Sequence, residues 1–136
     1  MTLIEIVKGM AGGAEAIQTN FQFGSVVEIG TNENGTFVKF GNGLAICFKD
    51  DVTFAYAGST AFISGTWTFP ITFVGNPSCF GIPRLGYVSA RFDAATLALA
   101  KAATTSVYGR LNNTSTVNFA TGDTQNIPLF AVGMWK

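Results

Sequence analysis

The sequence predicts a mainly β protein: an antiparallel β-sandwich or barrel preceded by a short N-terminal α-helix. Three observations lead there. From Ser25 onward, short apolar runs recur at roughly regular spacing between glycine- and asparagine-rich turns, the pattern of a sandwich or barrel rather than of βαβ units. Before Ser25 the apolar spacing is helical instead. The composition is that of a packed chain. Of 136 residues, 48% are hydrophobic and 13% aromatic, whereas charged residues reach 12%, about half the ~25% usual in soluble domains. The chain divides into an N-terminal segment, 1–24, and a β domain, 25–136.

In the first segment Val7, Met10, Ala14, Ile17 and Phe21 are spaced 3, 4, 3 and 4, the seam of a coiled coil. Gly9, Gly12 and Gly13 weaken its start, so the helix is expected over about 13–22, ended by Gly24. A helix this short is marginal alone and must pack on something. Periodicity leaves two solutions open, docking on its own domain or a parallel bundle of several chains.

The strands are expected over 26–29, 36–40, 44–49, 52–56, 61–69, 78–82, 85–92, 106–111, 116–119 and 127–135. Asn34-Gly35 supplies the positive φ of a tight turn, and Gly41-Asn42-Gly43 joins two strands as a three-residue hairpin loop. Gly58-Ser59, Gly75-Asn76-Pro77, Asn112-Asn113 and Gly122-Asp123 punctuate the remainder. Leu44, Ile46 and Phe48 share one face of their strand. In 61–69, Ile63, Trp67 and Phe69 form the core-directed face. Trp135, next to the last residue, places the final strand at the centre of the sheet or against an interface. The run 94–103 is ambiguous. Its helix formers and the N-cap Asp93 favour a helix, whereas alternation of Thr96, Ala98 and Ala100 against Leu97, Leu99 and Lys101 favours a strand, the reading preferred in an all-β context.

Composition excludes several functions. Eight basic and eight acidic residues give zero formal net charge, with no excess to neutralise nucleic-acid phosphates. So few charges favour association, and an oligomer is expected. There is no histidine, which removes the commonest general base, the usual Ser and Cys nucleophile partners and imidazole metal ligands. No cofactor or metal site is expected. Cys47 and Cys79 lie 32 positions apart without zinc-site spacing, and Cys47 reads as a buried thiol rather than half of a disulfide. No apolar stretch approaches the ~20 residues of a membrane span, and the N-terminus has no signal-peptide pattern, so a soluble protein made in the cytoplasm is expected.

Little chemistry is placed by motif. Asp50 and Asp51 follow Lys49 as a solvated turn after a strand, and neighbours in a strand do not converge as an acid–base pair. Gly41-Asn42-Gly43 lacks a phosphate-loop lysine and a following helix. Arg84, Tyr87 and Arg91 cluster in sequence. They suit either a sugar, through ring stacking and a fork of donors, or an inter-subunit contact with an acid.

Two segments resemble a known family. Ile6-Val7-Lys8-Gly9-Met10-Ala11-Gly12-Gly13-Ala14-Glu15-Ala16-Ile17-Gln18-Thr19-Asn20-Phe21 is similar to the N-terminal signature of phage baseplate and tail receptor-binding proteins from viruses of Gram-positive bacteria. Asn34-Gly35-Thr36-Phe37-Val38-Lys39-Phe40-Gly41-Asn42-Gly43-Leu44, then Trp67-Thr68-Phe69-Pro70, then Ala131-Val132-Gly133-Met134-Trp135 resembles the C-terminal head of phage tail fibres. The chain departs from those heads at Gly41, where proline is common, and at Met134, where arginine is common. The resemblance implies a homotrimer joined through the Val7/Met10/Ala14/Ile17/Phe21 seam, attached to other baseplate or tail proteins by the N-terminal segment and carried on the virion tail tip. It also implies non-catalytic binding of a host cell-wall saccharide, without membrane insertion; the alternatives are a purely structural baseplate or tail-fibre subunit without receptor contact and a polysaccharide depolymerase working through two carboxylates. No motif fixes the saccharide contacts; Arg84, Tyr87 and Arg91, with Tyr56 and Asp51, are the candidates.

Overall fold

The computed structural model describes residues 24–83, 95–113 and 118–136. Among them are eight strands and no helix: β1 (Val26–Asn32), β2 (Gly35–Phe40), β3 (Leu44–Ala55), β4 (Phe62–Thr68), β5 (Val74–Gly81), β6 (Thr96–Leu99), β7 (Ser106–Asn112) and β8 (Thr124–Met134). All pair antiparallel in a single sheet curled into a half-barrel, rather than in the two separate layers of a sandwich. The reason is the length of β3 and β8, 12 and 11 residues, which pair from Leu44↔Met134 to Ala55↔Thr124 and run through the whole sheet. Trp135 accordingly follows a central strand, with β3 on one side of β8 and β5 on the other.

The two N-terminal hairpins form as the turn residues demand. Gly35 has φ 127° and Gly43 φ 95°, values at which a Cβ would be strained. The side-chain carbonyls of Asn32 and Asn42 accept from the backbone N–H groups of Asn34 and Leu44, closing each turn. The ambiguous run settles as β6. Leu97 and Leu99 pack on the core while the strand pairs with β7, so tertiary burial outweighs helix propensity.

The fold turns on one irregularity. The ladder between β3 and β8 skips from Lys49↔Leu129 to Val52↔Ile127, leaving Asp50 and Asp51 opposite Pro128 alone. This is a β-bulge, not the turn that the two aspartates suggest, and it fuses the expected strands 44–49 and 52–56 into one. Proline has no N–H to give to a ladder, so a central strand tolerates it where pairing is already interrupted. The extra residue shifts the phase of β3: Ala45 and Cys47 are buried before the bulge, Val52 and Phe54 after it. Gly75-Asn76-Pro77 behaves likewise. It lies within β5, where the register jumps from Val74↔Met134 to Ser78↔Val132.

Curling brings the inner faces of both halves together. Phe54, Ile63, Leu111, Ile127 and Leu129 are almost wholly buried, and burying a side chain of this size contributes roughly 1.5–3 kcal/mol. Trp67, Phe69 and Phe73 meet edge to face, with ring centroids 5.0 and 5.3 Å apart. Phe119 is buried from a loop; of the strand expected over 116–119, residues 116–117 lie outside the described residues. The helix and seam expected within 1–24 lie outside the described residues apart from Gly24, as does the strand expected over 85–92.

The bulge is testable by deletion. Removing Asp51 alone restores unbroken alternation with Val52 and Phe54 still inward, but it sets Asp50 in the ladder opposite Pro128, which has no N–H to give, and straightens the bend on which the curl depends, so a clearly lower urea midpoint is expected. Asp51→Ala keeps the count and should remain within about 0.5 kcal/mol of the parent. A deletion variant as stable as Asp51→Ala would show that the bulge is dispensable.

Candidate functional site

Strand β8 occupies one edge of β3 along its length, so β2 and β4 share the other. β2 pairs with β3 as far as Thr36↔Phe48, and β4 joins at Ala55↔Ser64. A fork opens between them at the bulge. The β1–β2 turn is tied across it by three bonds: Lys49 Nζ donates to the Glu33 carbonyl at 2.9 Å, Trp67 Nε1 to the Asn34 carbonyl at 2.7 Å, and Asn32 Nδ2 to the Pro70 carbonyl at 3.0 Å.

The fork holds two adjoining clefts. One, of about 450 Å³, is lined by Asn32, Glu33, Gly35, Thr36, Phe48, Lys49, Asp50 and Asp51. The other, of about 280 Å³, is lined by Asn34, Lys49, Asp51, Val52, Thr53 and 66–68. Amides, hydroxyls and carboxylates converge there, a set that pairs with sugar hydroxyls; of the two rings that line the clefts, Trp67 is buried and Phe48 belongs to an outer apolar row. A larger groove of about 550 Å³ between β5 and β6 is lined mainly by apolar side chains and offers a polar ligand little.

The bulge also divides the outer surface of the sheet into two chemistries. On the β1–β2–β3–β8–β5 side, cross-strand rows run Ile29–Val38–Ile46–Val132 and Phe48–Phe130–Phe80. The Phe80 and Phe130 rings stack at 5.1 Å. No charged side chain stands in these rows, yet Ile29 is 66% and Phe80 49% exposed. Beyond the bulge the outward positions are Thr53 and Ala55 on β3, Ser64, Thr66 and Thr68 on β4, Ser106, Tyr108, Arg110 and Asn112 on β7, and Asn126 on β8. Thr53 donates to Asn126 Oδ1 at 2.9 Å.

Of the sequence-predicted contact residues, Asp51 lies in both clefts. Tyr56 does not join it. Tyr56 packs against the core, and its backbone N–H donates to the Asp123 carbonyl. Arg84, Tyr87 and Arg91 lie outside the described residues, as do Val7, Met10, Ala14, Ile17 and Phe21. Sequence reasoning missed Glu33, Asn34 and Lys49, which reach the fork only because the bulge parts β2 from β4. It also missed Tyr108 and Arg110, although two strand residues separated by one position share a face.

No protein-family model matches the chain, and no curated protein does. Solved structures share its fold. The chain is similar to an N-truncated R1-type pyocin tail fibre at 18% identity and a TM-score of 0.57, covering 91% of this chain and 96% of that one. It is also similar to the C-terminal part of the R1 pyocin fibre of P. aeruginosa at 20% identity and a TM-score of 0.54, covering 91% of this chain but 31% of the fibre chain.

The thiols stand apart from the site. Cys47 and Cys79 are both free, and each faces Ala131 from opposite sides of β8. Two strand spacings, about 9.5 Å, separate them, beyond the ~7 Å Cα limit of a disulfide. Burial pushes the Cys47 thiol from 9.0 up to about 12, with the nearby Cys79 adding to the rise, and burial pushes Cys79 up to about 11. A raised native pKa means that the unfolded chain loses these protons first. Their contribution is whole below about pH 8.5 and is lost as pH rises through 9 toward 12. Urea unfolding is expected to show stability falling over that window, with a shallower fall in Cys47→Ala; an unchanged slope in the variant would contradict it.

Proposed function

We propose that the chain is the receptor-binding head of a phage-type tail fibre, a homotrimer that binds a saccharide on the bacterial surface without cleaving it. The shared fold carries this reading: nearly all of this chain aligns with nearly all of the truncated R1-type pyocin tail fibre. The fork clefts and the hydroxyl-rich outer face support the saccharide. They offer donors, acceptors and ring faces, as a polyol surface requires. Shallow sites of this kind bind weakly one at a time, and repetition in a trimer and along a tail multiplies them.

The apolar outer rows support the trimer. A sheet face with Ile29 and Phe80 exposed beside half-buried Phe130 and Val132 is costly for a lone chain, whereas contact with further copies removes it from solvent. The N-terminal segment would then join the head to other tail or baseplate proteins, placing it at the virion tail tip.

Two experiments test these claims. Labelled protein should bind susceptible cells; periodate oxidation of surface diols should abolish binding, protease treatment should not, and no reducing ends should be released from the bound polysaccharide. Binding lost to protease but not to periodate would refute saccharide recognition. Release of reducing ends that stops in Asp51→Asn would replace adhesion with hydrolysis, because Glu33, Asp50 and Asp51 line one cleft. Light scattering should give three chain masses for the parent and one for Phe80→Glu, which puts a charge on the apolar face. A trimer unaltered by Phe80→Glu would show that this face is not the interface.

A further inference from the structure

Arg110 is the only charged side chain among the outward positions of the sheet beyond the bulge, within the described residues. Its guanidinium carbon sits 4.1 Å from the centroid of the Phe62 ring and 5.6 Å from that of Tyr108. Its Nε donates to the Tyr108 hydroxyl at 3.1 Å. An exposed arginine ordinarily loses side-chain entropy when it captures a ligand. This one is already placed by a ring face and a hydrogen bond, so less is lost.

What surrounds Arg110 leaves its terminal N–H groups accessible. The residues paired with it are small, Ala98 on β6 and Ser64 on β4. No carboxylate pairs with it among the described residues, in contrast to Lys39, which holds Glu28 at 2.7 Å. The Tyr108 hydroxyl takes hydrogen bonds from Arg110 and Ser64, which together hold the phenol below its ordinary value of 10.0 and leave its own proton to donate. Asn112 adds an amide next to Arg110 along β7, and Thr66 adds a hydroxyl opposite Tyr108. The cluster is a fork of donors ringed by further donors, which matches an oxyanion with several acceptor lone pairs.

We propose that Arg110, held between Phe62 and Tyr108, is a recognition site for an anionic group, a phosphate or a carboxylate, carried by the surface saccharide. The inference rests on the receptor-binding reading and adds the ligand's charge class and its position. The two acids share the oxyanion chemistry that a guanidinium grips with paired hydrogen bonds, and a neutral sugar does not supply it. The site lies on β7, on the part of the sheet away from the apolar rows, so a trimer formed through those rows leaves it open.

An array of bacterial saccharides sorted into neutral, phosphate-bearing and carboxylate-bearing members, probed with the full chain, tests this directly. The parent should bind anionic members, and the preferred set identifies which acid is read. Binding should weaken between about 50 and about 300 mM NaCl as the charge contact is screened. Arg110→Gln should bind the same members roughly tenfold or more weakly and lose most of the salt dependence. Tyr108→Phe, which keeps the ring and removes the hydroxyl, should fall between the two. Unchanged melting temperatures would show that both variants fold. If the parent binds neutral members alone, or Arg110→Gln binds as the parent does, the Arg110 site is refuted while receptor binding stands. An array with no binding at all would overturn both.

Discussion

A single extra residue in β3 governs the molecule. In a strand, side chains alternate with a period of two, so inserting one residue reverses which positions face inward. Asp50 and Asp51 stand where one residue would suffice, opposite Pro128. Ahead of them Ala45 and Cys47 enter the core; behind them Val52 and Phe54 do. The bend there lets one sheet curl far enough for its two halves to share an interior without a second layer. It also forces the free edge of β3 to change partners, from β2 to β4, which opens the fork that the β1–β2 turn bridges.

The same bend separates two surfaces that would otherwise be continuous. The row through Ile46 is apolar from β1 to β8 and the row through Phe48 from β3 to β5, whereas outward positions on β4 and β7 are hydroxyls, amides, an arginine and aromatic rings. Among the described residues the few charges are therefore not spread evenly. They are absent from these rows of one half-face, the half best suited to meet another copy of the chain. The other half-face and the fork carry the polar groups. In the proposed receptor-binding head, assembly and recognition use different parts of one sheet.

Much of the fold was legible in local pattern. Turn chemistry at Asn34-Gly35 and Gly41-Asn42-Gly43 locates the first hairpins, and alternation alone finds the buried side of β4, with Ile63 and Trp67, and Phe69 just beyond it. It also finds the strand at Thr96–Leu99 against helix propensity. The bulge was not legible because two aspartates after a strand carry the composition of a turn; only pairing with β8 and the position of Pro128 distinguish the two. The fork was hidden for the same reason, since Glu33, Lys49 and Thr66 are brought together by a change of strand partner rather than by spacing. The apolar half-face left a trace that alternation overlooks. Residues 44–48 are apolar at every position, the mark of a strand covered on both faces.

The claim on which the account rests is that the bulge divides the sheet into a covered apolar half-face and an open polar one. Hydroxyl-radical footprinting of the assembled protein, read by mass spectrometry at individual side chains, tests it most directly. Phe80 and Met134 are 49% and 43% exposed on a single chain, and Tyr108 is 38% exposed. In the assembly Phe80 and Met134 are expected to be protected while Tyr108 is oxidised at the rate of an open phenol. Phe80 and Met134 oxidised as freely as their single-chain exposure allows, with Tyr108 protected, would contradict it.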